Sequence, residues 1–293
     1  MKVLILGGTG FIGSNIVAQR PDWSWTIINS NNCDLLNSKS VEAINGDYDV
    51  VVDSAGFFGG IVFNQQYGRE LLYRNITMSA NICRLVDRIR PRKFVAISSA
   101  CIYPQSATDL ITESMIGTSD NYHPSVKYSA MSKTWLLKTM ETMDIPWEYL
   151  VVSNAYGPGE PLHFEKSHFV GSLFNKIKRE TDTIPMLGTG IAVRDFIYIT
   201  DVAEAVCRYC ELDVATQKPT NISTGQGITI RNITEMVLNL VDPALKLQWG
   251  SEMDNGILHK ILDNSKMYTD IKFQPEVDLQ TGLSKTWDWI KTL

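Results

Sequence analysis

The feature that most constrains this chain is its opening, Lys2-Val3-Leu4-Ile5-Leu6-Gly7-Gly8-Thr9-Gly10-Phe11-Ile12-Gly13-Ser14. The apolar run from Val3 to Leu6 reads as a buried parallel strand that stops at a glycine. Gly7, Gly10 and Gly13 then fall three apart, and the stretch from Ile12 to Gln19 reads as an amphipathic helix. Strand, glycine turn and helix in that order suit a dinucleotide. Glycine lets the backbone approach the pyrophosphate, and the helix N-terminus presents free N–H groups to it. A glycine triple alone is a weak signal; the strand before it and the helix after it make it specific.

The same alternation continues. Strands near 3–6, 25–28, 49–53, 94–98 and 148–152 are separated by helical patterns, the longest at 68–90 and 128–143. This predicts an α/β fold, a Rossmann-type doubly wound parallel sheet covered on both faces. Val50-Val51-Val52 and Phe94-Val95-Ala96-Ile97 are unbroken apolar runs, as doubly covered strands should be. From Tyr156 the texture loosens into the loop Gly157-Pro158-Gly159-Glu160-Pro161, a helix at 168–180 and a turn at Gly188-Thr189-Gly190. We therefore expect residues 1–155 to form the dinucleotide-binding domain, with return segments near 193–222. Residues 156–192 and 223–293 are expected to form a smaller C-terminal substrate-binding lobe.

Net charge is −5, and no dense Lys/Arg cluster appears, which argues against a nucleic-acid partner. The first apolar run is too short for a secretory signal and leads straight into the glycine turn; no apolar stretch reaches the length of a membrane span. Five scattered cysteines, Cys33, Cys83, Cys101, Cys207 and Cys210, are expected to be reduced thiols in a cytoplasmic protein. Cys207 and Cys210 form a C-x-x-C inside a helical pattern, so core packing is expected there and no metal site.

Chemistry enters after the fourth strand, where Ser99 can hydrogen-bond a substrate oxygen at a strand's carboxyl end. Downstream lies Tyr128-Ser129-Ala130-Met131-Ser132-Lys133. Here the chain resembles the extended short-chain dehydrogenase/reductases that act on nucleotide sugars, the NAD-dependent epimerase/dehydratase family. That resemblance implies a catalytic set of Ser99, Tyr128 and Lys133, in which the lysine lowers the pKa of the phenol and holds the nicotinamide ribose. A phenol near pKa 10 is a poor base at neutral pH without a nearby ammonium. The family places its lysine four residues after the tyrosine, whereas Tyr128 and Lys133 are five apart. Either a one-residue bulge returns Tyr128 to the site, or Ser129 occupies the tyrosine's position.

Within that family the motifs Gly59-Gly60-Ile61-Val62, Cys101-Ile102-Tyr103-Pro104, Asn154-Ala155-Tyr156-Gly157-Pro158, Ser167-His168, Arg194-Asp195-Phe196 and His259-Lys260 are similar to the GDP-L-fucose synthase branch. The similarity covers nearly the whole chain. It implies an enzyme that epimerises C3 and C5 of an NDP-4-keto-6-deoxyhexose, GDP favoured, and reduces C4. Cys101 and His168 would be the acid/base pair, since thiol and imidazole titrate on either side of neutrality. Asn154, Lys176, Arg194 and Lys260 would contact the nucleotide sugar, and helices 68–90 and 128–143 would pair two copies as a homodimer. Alternatives are an NDP-sugar 4-epimerase or simple 4-ketoreductase with tightly bound NAD(P), and a non-catalytic NAD(P)-binding scaffold should Tyr128 be out of place.

The expected cofactor contacts are Gly7, Thr9, Gly10, Phe11, Ile12, Gly13, Asn29, Ser30, Asp34, Leu35, Ser54, Ala55, Gly56, Asn75 and Lys133. An acid ending the second strand would select NAD and an arginine NADP. Asn29-Ser30-Asn31-Asn32 supplies neither, and NADP(H) is favoured over NAD(H) only through the resemblance.

Overall fold

The computed structural model describes residues 1–106, 110–162, 167–180, 182–251 and 256–293. The first half runs β1 (Lys2–Leu6), α1 (Phe11–Gln19), β2 (Ser24–Ile28), α2 (Ser38–Glu42), β3 (Val50–Asp53), α3 (Ile61–Gln66), α4 (Gly68–Ile89) and β4 (Lys93–Ser99). It continues through β5 (Leu110–Ile111), α5 (Lys127–Met140) and β6 (Trp147–Val152). The second half runs β7 (Asn154–Tyr156), α6 (Phe169–Arg179), β8 (Thr183–Met186), β9 (Val193–Arg194), β10 (Phe196–Tyr198), α7 (Ile199–Glu211) and β11 (Pro219–Ile222). It closes with β12 (Ile228–Thr229), α8 (Ile230–Val241), β13 (Lys246–Trp249), β14 (His259–Leu262), α9 (Ser265–Ile271) and α10 (Leu279–Ile290).

Six strands form a parallel sheet in the order β11-β6-β4-β3-β1-β2. The chain steps outward from β1 to β2, then returns to β3 and proceeds the other way. Ligands bind outside the carboxyl ends of strands at such a reversal. Residues Val50, Val51 and Val52 of β3 have no exposed surface. Burying a valine contributes roughly 1.5–3 kcal/mol, and the doubly wound layout lets all three valines of that strand do so.

One face of the sheet packs on α2, α4 and α5 through Val41, Ile82, Val86, Leu136 and Leu137. The other packs on α1, α7 and α9 through Ile16, Val202, Val206 and Met267. Both Cys207 and Cys210 lie in that second core as free thiols. A third core joins α6, α8 and α10 around Phe174, Val237 and Leu283. Between it and the large sheet lies a small mixed sheet, β12-β9-β14-β5.

Candidate active site

The glycine turn has the form a dinucleotide needs. Gly7 adopts φ +79°, and a Cβ there would lie 2.8 Å from the Ala55 backbone; at Gly13 it would lie 2.3 Å from the Gly7 carbonyl oxygen. No side chain caps α1, whose N-cap is Gly10, so its first-turn N–H groups remain available to an anion. Thr9 and Gly10 are exposed, with Phe11 and Ile12 half-buried beside them. Ser54 donates through Oγ to the Leu6 carbonyl at 3.0 Å, tying the loop after β3 to β1. A Cβ on Gly56 would lie 2.2 Å from the Phe58 ring. Asn75 receives the Phe57 N–H at 2.8 Å and donates to the Phe57 carbonyl at 3.0 Å, so it anchors that loop to α4. These residues fit a bound dinucleotide: the cradle is one that side chains would fill.

At the end of β2 the loop is knitted by its own amides. The N–H of Asn29 donates to Asn32 at 2.8 Å, and the N–H of Asn31 to Asn29 at 2.9 Å. Ser30 is exposed. Asp34 is exposed as well and accepts the Leu36 N–H at 3.0 Å, while the Leu35 side chain is buried in the core.

Residues of α5 face in two directions. The helix runs from Lys127 without a bulge, so Ser129 lies one turn from Lys133 on the same face, and Tyr128 is rotated away by about 100°. Tyr128 instead lays its ring against Gly68 at the start of α4, where a Cβ would lie 2.4 Å from the ring, and it is 38% exposed. The bulge that would carry Tyr128 to Lys133 is thus absent from α5. Ser129 is buried, and its hydroxyl has no hydrogen-bond partner among the described residues. Lys133 donates to the Ile97 carbonyl at 2.7 Å and lies 4.9 Å from the centroid of the Phe58 ring. Burial lowers its pKa, against which Asp53 and then Cys101 act.

Ser99 ends β4, and its hydroxyl lies 2.9 Å from the Cys101 sulfur. Lys260 on β14 is the register partner of Arg194 on the parallel strand β9, so two cations stand side by side. Like charges directly opposed destabilise a sheet. Burial pushes Lys260 down to about 8, with Arg194 adding to the fall and Cys101 opposing it; burial pushes Arg194 down to about 10. The neighbouring carboxylate of Asp195 does not neutralise them. It is fully buried and accepts from Thr224 Oγ1 at 2.7 Å and from the Thr224 and Gly225 N–H groups at 3.1 Å. Among the described residues no carboxylate forms an ion pair with Arg194 or Lys260. His123 joins this group: burial, Lys260 and Arg194 together lower its pKa. Its Nδ1 is 2.7 Å from Ser125 Oγ.

Segment 3–225 matches the NAD dependent epimerase/dehydratase family. The chain belongs to that family. Its sequence is 28% identical to GDP-L-fucose synthase 1 of Arabidopsis thaliana, over 98% of this chain and 92% of the relative. Among solved structures it superposes on a GDP-6-OMe-4-keto-L-xylo-heptose reductase from C. jejuni with TM-score 0.89 at 19% identity, covering 99% of this chain and 97% of that one. A GDP-L-fucose synthetase from Naegleria fowleri bound to NADP gives TM-score 0.88 at 17% identity, covering 99% and 94%.

Other family positions are placed as follows. Asn154 donates through its side chain to the Asp195 carbonyl at 2.7 Å, holding β7 to the strand that carries Arg194. His168 is the N-cap of α6; its N–H donates to the buried carboxylate of Glu160 at 2.9 Å. His168 keeps an open surface, yet the protein around it lowers its pKa by desolvation. Lys176 on α6 is engaged elsewhere, donating to the Pro185 carbonyl at 3.0 Å. Sequence reasoning missed Asp53, His123 and the part of Glu160. For Asp53 a signal was present, an acid ending the all-valine strand β3; for the other two none was.

Proposed function

We propose that this protein is a nucleotide-sugar epimerase/reductase acting on an NDP-4-keto-6-deoxyhexose, with GDP the favoured nucleotide and NADP(H) the favoured cofactor. The observation that carries the reading is the cross-strand cation pair Arg194–Lys260, free of carboxylate ion-pair partners among the described residues. A diphosphate relieves the repulsion between two such cations, and an arginine fork matches its oxygens. The smaller lobe, 156–192 and 223–293, closes over the sugar nucleotide.

In this reading the 4-keto group acidifies the C3 and C5 hydrogens, and Cys101 and His168 remove and return those protons from opposite sides. The dinucleotide held by the Gly7–Gly13 turn and Lys133 would supply the hydride for reduction at C4. Ser99 hydrogen-bonds the C4 oxygen, and Lys133 provides the positive charge that stabilises it. We assign the hydroxyl beside Lys133 to Ser129 rather than Tyr128, because Ser129 shares the lysine's face. An aliphatic hydroxyl is a weaker acid than a phenol, so reduction relies on the Lys133 ammonium as the ultimate proton source.

The test is to supply GDP-, UDP- and dTDP-4-keto-6-deoxyhexoses with NADPH in D₂O. Deuterium at C3 and C5 together with cofactor oxidation is expected; cofactor oxidation without exchange would leave a simple ketoreductase. Tyr128→Phe should keep kcat within about threefold, while Ser129→Ala should lower it by about tenfold or more. The displacement of Tyr128 favours a second reading, a cofactor-binding protein without turnover. It would be established by tight NADPH binding with no oxidation on any of the three sugars. The exposed Tyr73, Tyr128 and Met131 on α4 and α5 favour homodimerisation through those helices, which light scattering would test.

A further inference from the structure

Beneath the loop 54–58, between α4 and α5, lies a cavity of about 10 Å³, room for at most one water. Asp53, Asn75, Ser79, Ser132 and Lys133 supply its polar wall, and Met78 and Ile82 part of its apolar one. Asp53 is the last residue of β3 and 97% buried, with 3% of its surface exposed. Its Oδ1 accepts the Ala55 N–H at 3.0 Å, so it also holds the loop that meets the glycine turn.

A carboxylate and an ammonium that share one nearly dry cavity are each costly to bury alone and stabilise each other's charge. We propose that Asp53 is a positioning residue: facing Lys133 across this cavity, its carboxylate keeps the lysine charged for the cofactor ribose and the reacting oxygen. This rests on the assignment of Lys133 to those two tasks under the proposed function.

The groups around the pair support the direction. Burial pushes Asp53 up to about 6, against Lys133 and the Ala55 N–H, so the carboxylate is ionised at neutral pH. Burial pulls Lys133 down, and Asp53 is the larger of the two groups opposing it, ahead of Cys101 beyond β4. From α4, the thiol of Cys83 faces Asp53 and is pushed up to about 12, by burial first. From β6, Tyr149 also faces Asp53 and is held neutral by burial, its hydroxyl donating to the Lys133 main-chain carbonyl at 2.8 Å. Asp53 is therefore the carboxylate that offsets desolvation of Lys133 within this ring of groups.

The experiment follows the ¹³Cε resonance of Lys133 against pH in protein carrying labelled lysine, with the signal assigned by its absence in Lys133→Met. In Asp53→Asn the Lys133 midpoint should fall by about one pH unit or more, the size of effect an opposite charge at close range produces. The pH above which NADPH affinity declines should fall by the same amount. A merely structural role for Asp53 would weaken binding at every pH and leave both midpoints in place, which would overturn the proposal. Should Asp53→Asn fail to fold, wild type still decides: its Lys133 resonance must show a second inflection, on the acid side of its own midpoint, as Asp53 protonates. A flat response there overturns the coupling. A shifted midpoint with no sugar turned over keeps the coupling and sinks the substrate reading; turnover with an unmoved midpoint does the reverse.

Discussion

The turn from Gly7 to Gly13 offers main-chain N–H groups, tight backbone packing and no charged side chain. Arg194 and Lys260, by contrast, set two half-buried cations against each other across β9 and β14. Both regions suit phosphate, and they do so by opposite means. The first is made by neighbours in sequence and depends on the absence of side chains. The second is made by strands distant in sequence and depends on charges that repel until something anionic lies between them. A neutral site of main-chain donors should be indifferent to pH and sensitive to volume. A cationic one should be the reverse.

The largest effect should follow from adding volume at the first region. Gly13→Val puts carbon where the Gly7 carbonyl stands, and cofactor affinity measured by NADPH fluorescence should fall by about 100-fold, the upper range for overpacking. Nucleotide-sugar binding should change little. If both fall together, the two regions are one site energetically and the comparison breaks.

Removing charge at the second region comes next. Arg194→Ala should weaken GDP binding in calorimetry by about 30-fold or more, while NADPH affinity stays within about twofold. An unchanged GDP affinity would move the diphosphate away from β9.

The pH dependence sharpens the contrast. Burial pushes Lys260 down to about 8, well below an ordinary lysine, and under the proposed function a diphosphate needs its charged form. GDP affinity should be steady below that pH and fall above it by up to about tenfold per unit, since binding then takes up a proton. Cofactor affinity of Lys133→Met, which lacks the ammonium that titrates, should be flat over the same window.

The smallest effect should come from Lys176→Ala, because its ammonium already donates to the Pro185 carbonyl. GDP affinity should change by less than about threefold, as for a partly screened surface charge. A larger loss would extend the cationic region onto α6.

Much of the fold was legible in advance. An unbroken valine run cannot sit on a half-exposed strand, and β3 is buried throughout. The glycine spacing likewise specified its own turn, since each glycine answers to a backbone atom a few residues away or at the adjoining strand end. The tyrosine was a harder case. Counting from Lys133 showed that Tyr128 was out of step, but whether a bulge would restore it depended on how α5 packs. The regular helix sends Tyr128 to Gly68 of α4 and leaves Ser129 buried. That Lys176 donates to the Pro185 carbonyl was not legible in the sequence, because the two are joined by folding and not by spacing.

What the sequence determined by itself was the order of strands and helices and the glycine turn, because these rest on hydrophobic periodicity and on contacts within a few residues; the family was legible as a resemblance, through motifs such as Cys101-Ile102-Tyr103-Pro104. Tertiary structure alone decided which charges meet. Register between β9 and β14 makes Arg194 and Lys260 neighbours, and packing of α5 against β3 and β4 brings Lys133 to Asp53 and Cys101. The physical reason is that electrostatic energy depends on distance in space and on the water excluded between groups. Neither quantity is written in spacing along the chain.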